Sequence, residues 1–251
     1  MGGYLTERRE NASLSAAAPL GGNTRWFPSG SLASWARMDA REAEKEAAAA
    51  AAAMLVEDGA LVGLGTGSTV AHLLPALAAR RLSIRCVATS PATERAARGL
   101  GLDVVPFHGI ARLDIAIDGA DQVDPAGWLI KGGGGAHTRE KIVAAAAARF
   151  VVIVSSDKAV ERIGPPVPLE LLRFGLDATL AALGPVRVRD VPPSPDGGVI
   201  ADFLGPVDDP GGLAARLDAM PGVSGHGIFP PSLTADVLVA RGTEVQHRRI
   251  R

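Results

Sequence analysis

The sequence predicts an α/β protein: a mostly parallel sheet covered by helices on both faces, followed by a smaller α+β unit. Three observations carry that prediction. Short, almost wholly apolar runs at 60–64, 84–88, 113–117 and 150–154 alternate with helical patterns. Strands apolar on both faces are what a buried parallel sheet requires. The character of the chain then changes at Gly164-Pro165-Pro166, and a last apolar run at 236–240 can return to the first sheet.

Each element has its local reason. Residues 39–57 are dense in Ala, Glu, Lys and Arg, the strongest helix formers, with Asp58-Gly59 as the stop. A strand at 60–64 runs into the loop Gly65-Thr66-Gly67-Ser68-Thr69, and Val70, Leu73, Leu74 and Leu77 then recur at helical spacing. Pro75 lies inside that pattern and is expected to kink or shorten the helix. A strand at 84–88, a helix at 93–99, and strands at 103–105 and 113–117 follow. The stretch 118–135 is rich in turns. Helix resumes at 138–149 and leads into the apolar strand 150–154. Beyond Pro166 the pattern predicts a helix at 169–183, strands at 186–191 and 199–202, a helix at 210–220 and another short strand. That is a split β-α-β arrangement. The basic tail, 246–251, reads as a solvated end.

These units divide the chain into 1–37, an irregular extension; 38–165 plus 236–251, a catalytic α/β domain; and 166–235, a small α+β domain. The first segment is rich in Gly, Ser, Asn and Pro, and it lacks the apolar core of a secretory signal. Arg8, Arg9, Arg25 and Arg37 hint at a transit peptide, against which Glu7 and Glu10 argue; Met38 is a candidate functional start.

Composition narrows the functional classes. A formal net charge of -1 gives no strong pull toward nucleic acid or an anionic membrane. No apolar stretch is long enough to span a bilayer. The single cysteine, Cys86, excludes an internal disulfide, fits a reducing, cytoplasmic setting, and reads as a buried small hydrophobe. His72, His108, His137, His226 and His247 are scattered without helical ligand spacing, so no metal site is expected.

The chemistry gathers at predicted carboxyl ends of strands, where open parallel sheets bind ligands. Gly65–Thr69 can cradle an anion. Its glycines let backbone N–H groups approach, the next helix begins there, and Ser68 and Thr69 add hydroxyls. It can equally be a plain turn with Ser68 as helix cap. It is neither a Walker loop, lacking the lysine, nor a dinucleotide fingerprint, since Ser68 replaces the third glycine and Thr89-Ser90 stand where a ribose-binding acid would. Asp118 and Asp121, three apart in a turn, can face one cavity and split their pKa values, or can merely cap local backbone. Lys131 precedes four glycines, 132–135, whose entropic cost asks for a reason; inward N–H donors beside an ammonium group would supply one. Glu140 falls in the first turn of the next helix, where complementing the dipole is its ordinary role. His137 reads as a cap-adjacent surface residue, and Arg139 and Lys141 as solvated helix charges. Lys158, after Ser155-Ser156-Asp157, stands at the same sheet edge.

Taken together, Gly63-Leu64-Gly65-Thr66-Gly67-Ser68-Thr69, Asp118-Gly119-Ala120-Asp121 and Lys131-Gly-Gly-Gly ending in Thr138-Arg139-Glu140-Lys141 resemble the A-type ribose-5-phosphate isomerases, from about residue 39 to about 246. The resemblance implies a Rossmann-like parallel sheet with a smaller ferredoxin-like domain, assembled as homodimers or homotetramers. It also implies interconversion of ribose 5-phosphate and ribulose 5-phosphate through an enediolate, in the pentose phosphate pathway, with no metal or organic cofactor. Glu140 then matches the glutamate that carries the proton between C2 and C1. Asp118, Asp121 and Lys131 match the polar residues around O1 and O2. Substrate binding is implied for Lys45, Thr66, Gly67, Ser68, Thr69, Gly119, Ala120, Gly132, Gly133, Gly134 and Lys158. The chain departs from the family pattern at Gln122, Gly135 and His137. Two other readings compete: a non-catalytic sugar-phosphate sensor on the same fold, which would usually carry a DNA-binding module, and a nicotinamide enzyme, which Ser68 and the missing ribose acid disfavour.

Overall fold

The computed structural model describes residues 32–251. The expectations for residues 1–31 lie outside the described residues. Helix α1 runs over Leu32–Ala53, so the last six residues of the segment read as irregular are helical, and Met38 lies within the helix. Its alanines pack against the sheet: Ala48, Ala49 and Ala52 are wholly buried. Small side chains let the helix approach closely.

The larger unit then alternates. Strand β1 (Leu61–Leu64) leads into α2 (Ser68–Ala79), which carries Pro75 without ending there. Strand β2 (Arg85–Ala88), α3 (Pro91–Gly99), β3 (Asp103–Val104) and β4 (Leu113–Asp118) follow. Within the turn-rich stretch lie two short strands, β5 (Gln122–Val123) and β6 (Leu129–Ile130). Helix α4 (His137–Ala146) is shorter than expected, because strand β7 (Ala147–Ser155) takes over three residues early.

The smaller unit corrects one assignment. Residues 169–183, read as a single helix, are β8 (Val167–Leu171) followed by α5 (Leu176–Leu183). Leucines at 169, 171, 176, 180 and 183 fit a helical period. However, all five residues of β8 are buried between β10 and β11, and a fully buried strand has no periodicity to distinguish it from a buried helix. The remainder is β9 (Val186–Val188), β10 (Val199–Phe203), α6 (Pro210–Asp218), β11 (Val223–His226) and β12 (Ile228–Phe229). The chain returns through β13 (Asp236–Arg241) and ends in β14 (Glu244–Arg249). The tail is therefore a correction too: it pairs antiparallel with β13 rather than standing free in solvent. Its charged side chains suit an edge strand, where they discourage further pairing.

The main sheet has the order β14-β13-β7-β4-β1-β2-β3 and is parallel except for β14. Helices α1, α2 and α3 cover one face, with Val62, Leu64, Ile117 and Ile153 in that core. Helix α4 covers the other face, with Val143, Phe150 and Phe229. The smaller sheet, β11-β8-β10-β9, is antiparallel and has its own core. The architecture is α/β: a Rossmann-like sheet joined to a ferredoxin-like unit. Strands β7, β4 and β1 are neighbours, so the loops after Ser155, Asp118 and Leu64 must emerge side by side. Cys86 is buried, and burial pushes its thiol up to about 12.

Candidate active site

A polar cleft of about 330 Å³ opens at that edge. It is lined by the α2 loop (Thr66–Val70), by Gly119–Asp121, by Lys131–Gly134, by Glu140 and by Ser155, Asp157 and Lys158. Arg41 and Lys45 reach it from α1. Every residue proposed from sequence therefore lies on the cleft wall except Asp118, which stands directly behind it.

At the floor are three ionisable groups almost without solvent: Asp118, Lys131 and Glu140 are each at most 3% exposed. Lys131 Nζ is 2.8 Å from Asp118 Oδ2 and 3.2 Å from Glu140 Oε2, and it donates to the Gly119 carbonyl at 2.6 Å. Asp118 ends β4 and is fixed through Oδ1, which accepts from the amides of Thr66 (3.1 Å) and Gly119 (2.7 Å). This arrangement requires Gly65: a Cβ there would overlap the Asp118 carboxyl. Glu140 is in the first turn of α4, whose first residue lacks a side-chain cap. Apart from that ion pair with Lys131, its Oε2 makes no hydrogen bond among the described residues.

Burial first, then the Asp118 carboxylate, push Glu140 up to about 8 against the opposing pull of Lys131. Burial likewise raises Asp118, although Lys131 opposes it. Burial alone would depress Lys131, but the two carboxylates outweigh it and raise its pKa above the ordinary lysine value. The two carboxylates around one ammonium group in this dry floor are not equivalent. Asp118 is locked by two backbone amides, while Glu140 is held only by its ion pair with Lys131 and is pushed up to about 8, a division that suits one holder and one proton carrier.

The upper part of the cleft is built for an anion. Gly67 is the residue before α2, and no side chain caps that helix, so Ser68 is not its cap. The first-turn amides and positive dipole end face the cleft with the Ser68 and Thr69 side chains. The Thr66 hydroxyl is committed to Thr89 at 2.8 Å. Lys45 Nζ pairs with Glu42 at 2.6 Å, and Lys158 stands 3.9 Å from Asp157. Asp121 accepts from the Gly133 amide at 2.8 Å, tying the two loops together.

Two sequence expectations change here. His137 is not at the surface. It is wholly buried behind the glycine loop, and burial, then Lys141 and Arg189, push it down to about 3, so it stays neutral. Lys141 is not a solvated helix charge; it is half-buried beside His226, 3.2 Å from Nδ1. Gln122 latches onto Gly164 through both its amide atoms, at 3.1 and 2.7 Å, away from the cleft. Arg41 was missed, though it lies four residues before Lys45 and hence on the same helix face. Among the described residues no group of His, Cys, Asp or Glu is arranged to hold a metal ion, and no helix is long and apolar enough to cross a membrane.

Fold and site together define an α/β enzyme equipped for proton transfer. The sequence family described as ribose 5-phosphate isomerase A (phosphoriboisomerase A) matches residues 85–244. A ribose-5-phosphate isomerase A of Sphingopyxis alaskensis is 42% identical over 221 residues, covering 82% of this chain and 96% of that protein. The crystal structure of ribose 5 phosphate isomerase A from Neisseria gonorrhoeae superposes with a TM-score of 0.81 at 30% identity, covering 84% of this chain and 98% of that one. A D-ribose-5-phosphate isomerase in complex with phospho-erythronic acid gives 0.78 at 31% identity, covering 83% and 99%. The chain belongs to the ribose 5-phosphate isomerase A family.

Proposed function

We propose that this protein interconverts D-ribose 5-phosphate and D-ribulose 5-phosphate through an enediolate. The observation that carries the reading is Glu140, buried on the cleft wall with no backbone donor on its carboxyl, its Oε2 3.2 Å from an ammonium group that is itself held by Asp118. An aldose becomes a ketose when a proton leaves C2 and returns at C1. That needs one base within reach of both carbons and donors aimed at the oxygens beside them. Ionised Glu140 takes the C2 proton as charge develops on O1. Lys131 and the glycine-loop amides meet that charge. Glu140 then returns the proton to C1 while the O2 hydroxyl proton passes to O1 and the carbonyl forms at C2, so no atom is gained or lost. Asp118 and Asp121 orient the hydroxyl groups and assist ring opening.

The phosphate belongs at the Ser68–Thr69 turn, with Lys45 and Lys158 as its cations. Binding energy from that remote group orients the reacting end. The family's isomerase name supports the substrate, as does the solved relative holding phospho-erythronic acid, a phosphorylated sugar acid. Residues 38–165 with 236–251 form the catalytic domain and 166–235 the smaller one, in a cytoplasmic homodimer or homotetramer. The test is ketose formation from ribose 5-phosphate with a chelator present and no added cofactor. Conversion is expected; phosphate binding without conversion would favour a sensor.

A further inference from the structure

The glycine loop is held from outside the cleft by one side chain of the smaller unit. Arg189, just past β9, donates through Nη1 to the carbonyl oxygens of Gly132 at 2.9 Å and Gly133 at 3.1 Å. Its Nε and Nη2 grip Asp202 on β10 at 3.0 and 2.6 Å. Asp202 is only 4% exposed. Although burial opposes it, the Arg189 guanidinium holds that carboxyl below its usual range. Arg189 itself lines no part of the cleft.

In a trans peptide plane the C=O and the next N–H point in opposite directions. Fixing the Gly132 carbonyl on Arg189 therefore turns the Gly133 amide the other way, where it donates to Asp121 Oδ2 at 2.8 Å. Fixing the Gly133 carbonyl turns the Gly134 amide away from Arg189, toward the cleft that Gly134 lines. A glycine run has no intrinsic preference for these orientations, and Gly132 already adopts φ of 107°. Within the loop the Gly135 amide also donates to the Gly132 carbonyl at 3.0 Å; the Gly133 carbonyl is fixed from outside, by Arg189.

We infer that Arg189, braced by Asp202, is a positioning residue that sets the direction of the Gly133 and Gly134 amides and so preorganises the donors around the reacting oxygens. This inference rests on the isomerase reading above. Donors that must first reorient add to the barrier but change little of the ground-state binding made at the phosphate end.

The experiment is steady-state kinetics with ribose 5-phosphate on the wild type, Arg189→Met, Arg189→Lys, Asp202→Asn, the double variant Arg189→Met/Asp202→Asn, and Asp196→Ala. Arg189→Met is expected to lower kcat ~30–100-fold with KM within ~3-fold, somewhat less than the ~10²–10³-fold cost of deleting an oxyanion donor outright, because the amides are misaimed rather than removed. Arg189→Lys restores part of the loss. Asp202 also pairs with Arg187 at 3.5 Å, but it reaches the glycine loop only through Arg189, so the double variant is expected to be no worse than Arg189→Met, within ~2-fold. Asp196→Ala breaks the Arg139–Asp196 pair, which also ties α4 to the smaller unit but leaves the glycine loop untouched. Its kcat is expected to stay within ~2-fold of wild type. Should Arg189→Met not fold, Arg189→Lys and Asp202→Asn read the same kcat loss in smaller measure. An unchanged kcat in the Arg189 and Asp202 variants overturns the inference, as does an equal loss in Asp196→Ala or a change confined to KM. A wild type that converts nothing overturns the isomerase reading itself.

Discussion

Two lysines stand beside one aromatic ring, and they ionise in opposite directions. Lys131 Nζ lies 5.5 Å from the centroid of Phe229, and Lys141 Nζ lies 5.2 Å from it. Lys131 is buried and Lys141 half-buried. Lys131 faces two carboxylates, and its pKa rises despite burial. Lys141 faces His226, whose Nδ1 accepts from the Ile228 amide at 3.2 Å and whose Nε2 pairs with Asp218 at 3.0 Å. That imidazole is kept neutral: burial and then Lys141 push it down to about 4. With no carboxylate in contact, burial pulls Lys141 down to about 8. The same ring gives a locked, fully buried cation on one side and a labile, partly buried one on the other. The charge partner, not the burial, decides which.

The largest way to break this contrast is Lys131→Met. It leaves Asp118 and Glu140 facing each other in a dry site, and such uncompensated charge costs about 3–5 kcal/mol. Activity is expected to fall ~10³-fold or more, since a donor and the charge balance vanish together. Urea unfolding and the isomerase assay read the two effects.

Glu140→Gln keeps volume and folding but removes the proton carrier. The expected loss is ~10²–10⁴-fold in kcat, with inorganic phosphate still binding. Full turnover in that variant would end the proposed chemistry.

A pH profile sharpens the comparison. Below about 8 Glu140 is protonated in the empty cleft, so kcat/KM should climb with pH and level off above about 8.

Stability carries the opposite signs. Glu140 is raised from 4.5 to about 8, so the native state holds the extra proton between those values. Its contribution is complete below 4.5 and is lost as pH rises through about 8. Lys141 is lowered from 10.5 to about 8, so there the unfolded state holds the extra proton and stability recovers as pH rises from 8 to 10.5. Unfolding midpoints of Glu140→Gln and Lys141→Met across this range should lose the falling and the rising limb respectively.

The smallest effect is expected on turnover in Lys141→Met. It should change kcat by less than ~10-fold, because this cation meets no reacting atom. A loss as large as that of Lys131→Met would show that the two lysines are not distinct in role.

Legibility in the sequence follows the same division between local and distant causes. The parallel strands were legible because their apolar runs are continuous. The anion loop and the Asp118, Lys131 and Glu140 set were legible because glycines and charges in such runs are costly without a use. Strand β8 was misread because Val167–Leu171 is buried throughout, Glu170 included, and is followed by leucines at helical spacing. The tail was misread because the basic residues of β14 give no strand signal, and only pairing with β13 creates it. His137 and Lys141 were misplaced for a related reason: polar residues on a helix are exposed unless another unit covers them, and here β8, β11 and β12 do.

The sequence by itself determined which residues could do chemistry and that strands and helices alternate, since both depend on side-chain type and near spacing. Only the tertiary structure decided their ionisation and aim. The proton affinity of Glu140 depends on Asp118 and Lys131 brought within contact across the sheet edge. The orientation of the glycine amides depends on Arg189, more than fifty residues away along the chain. Electric fields and hydrogen bonds act through space, and the fold sets those distances.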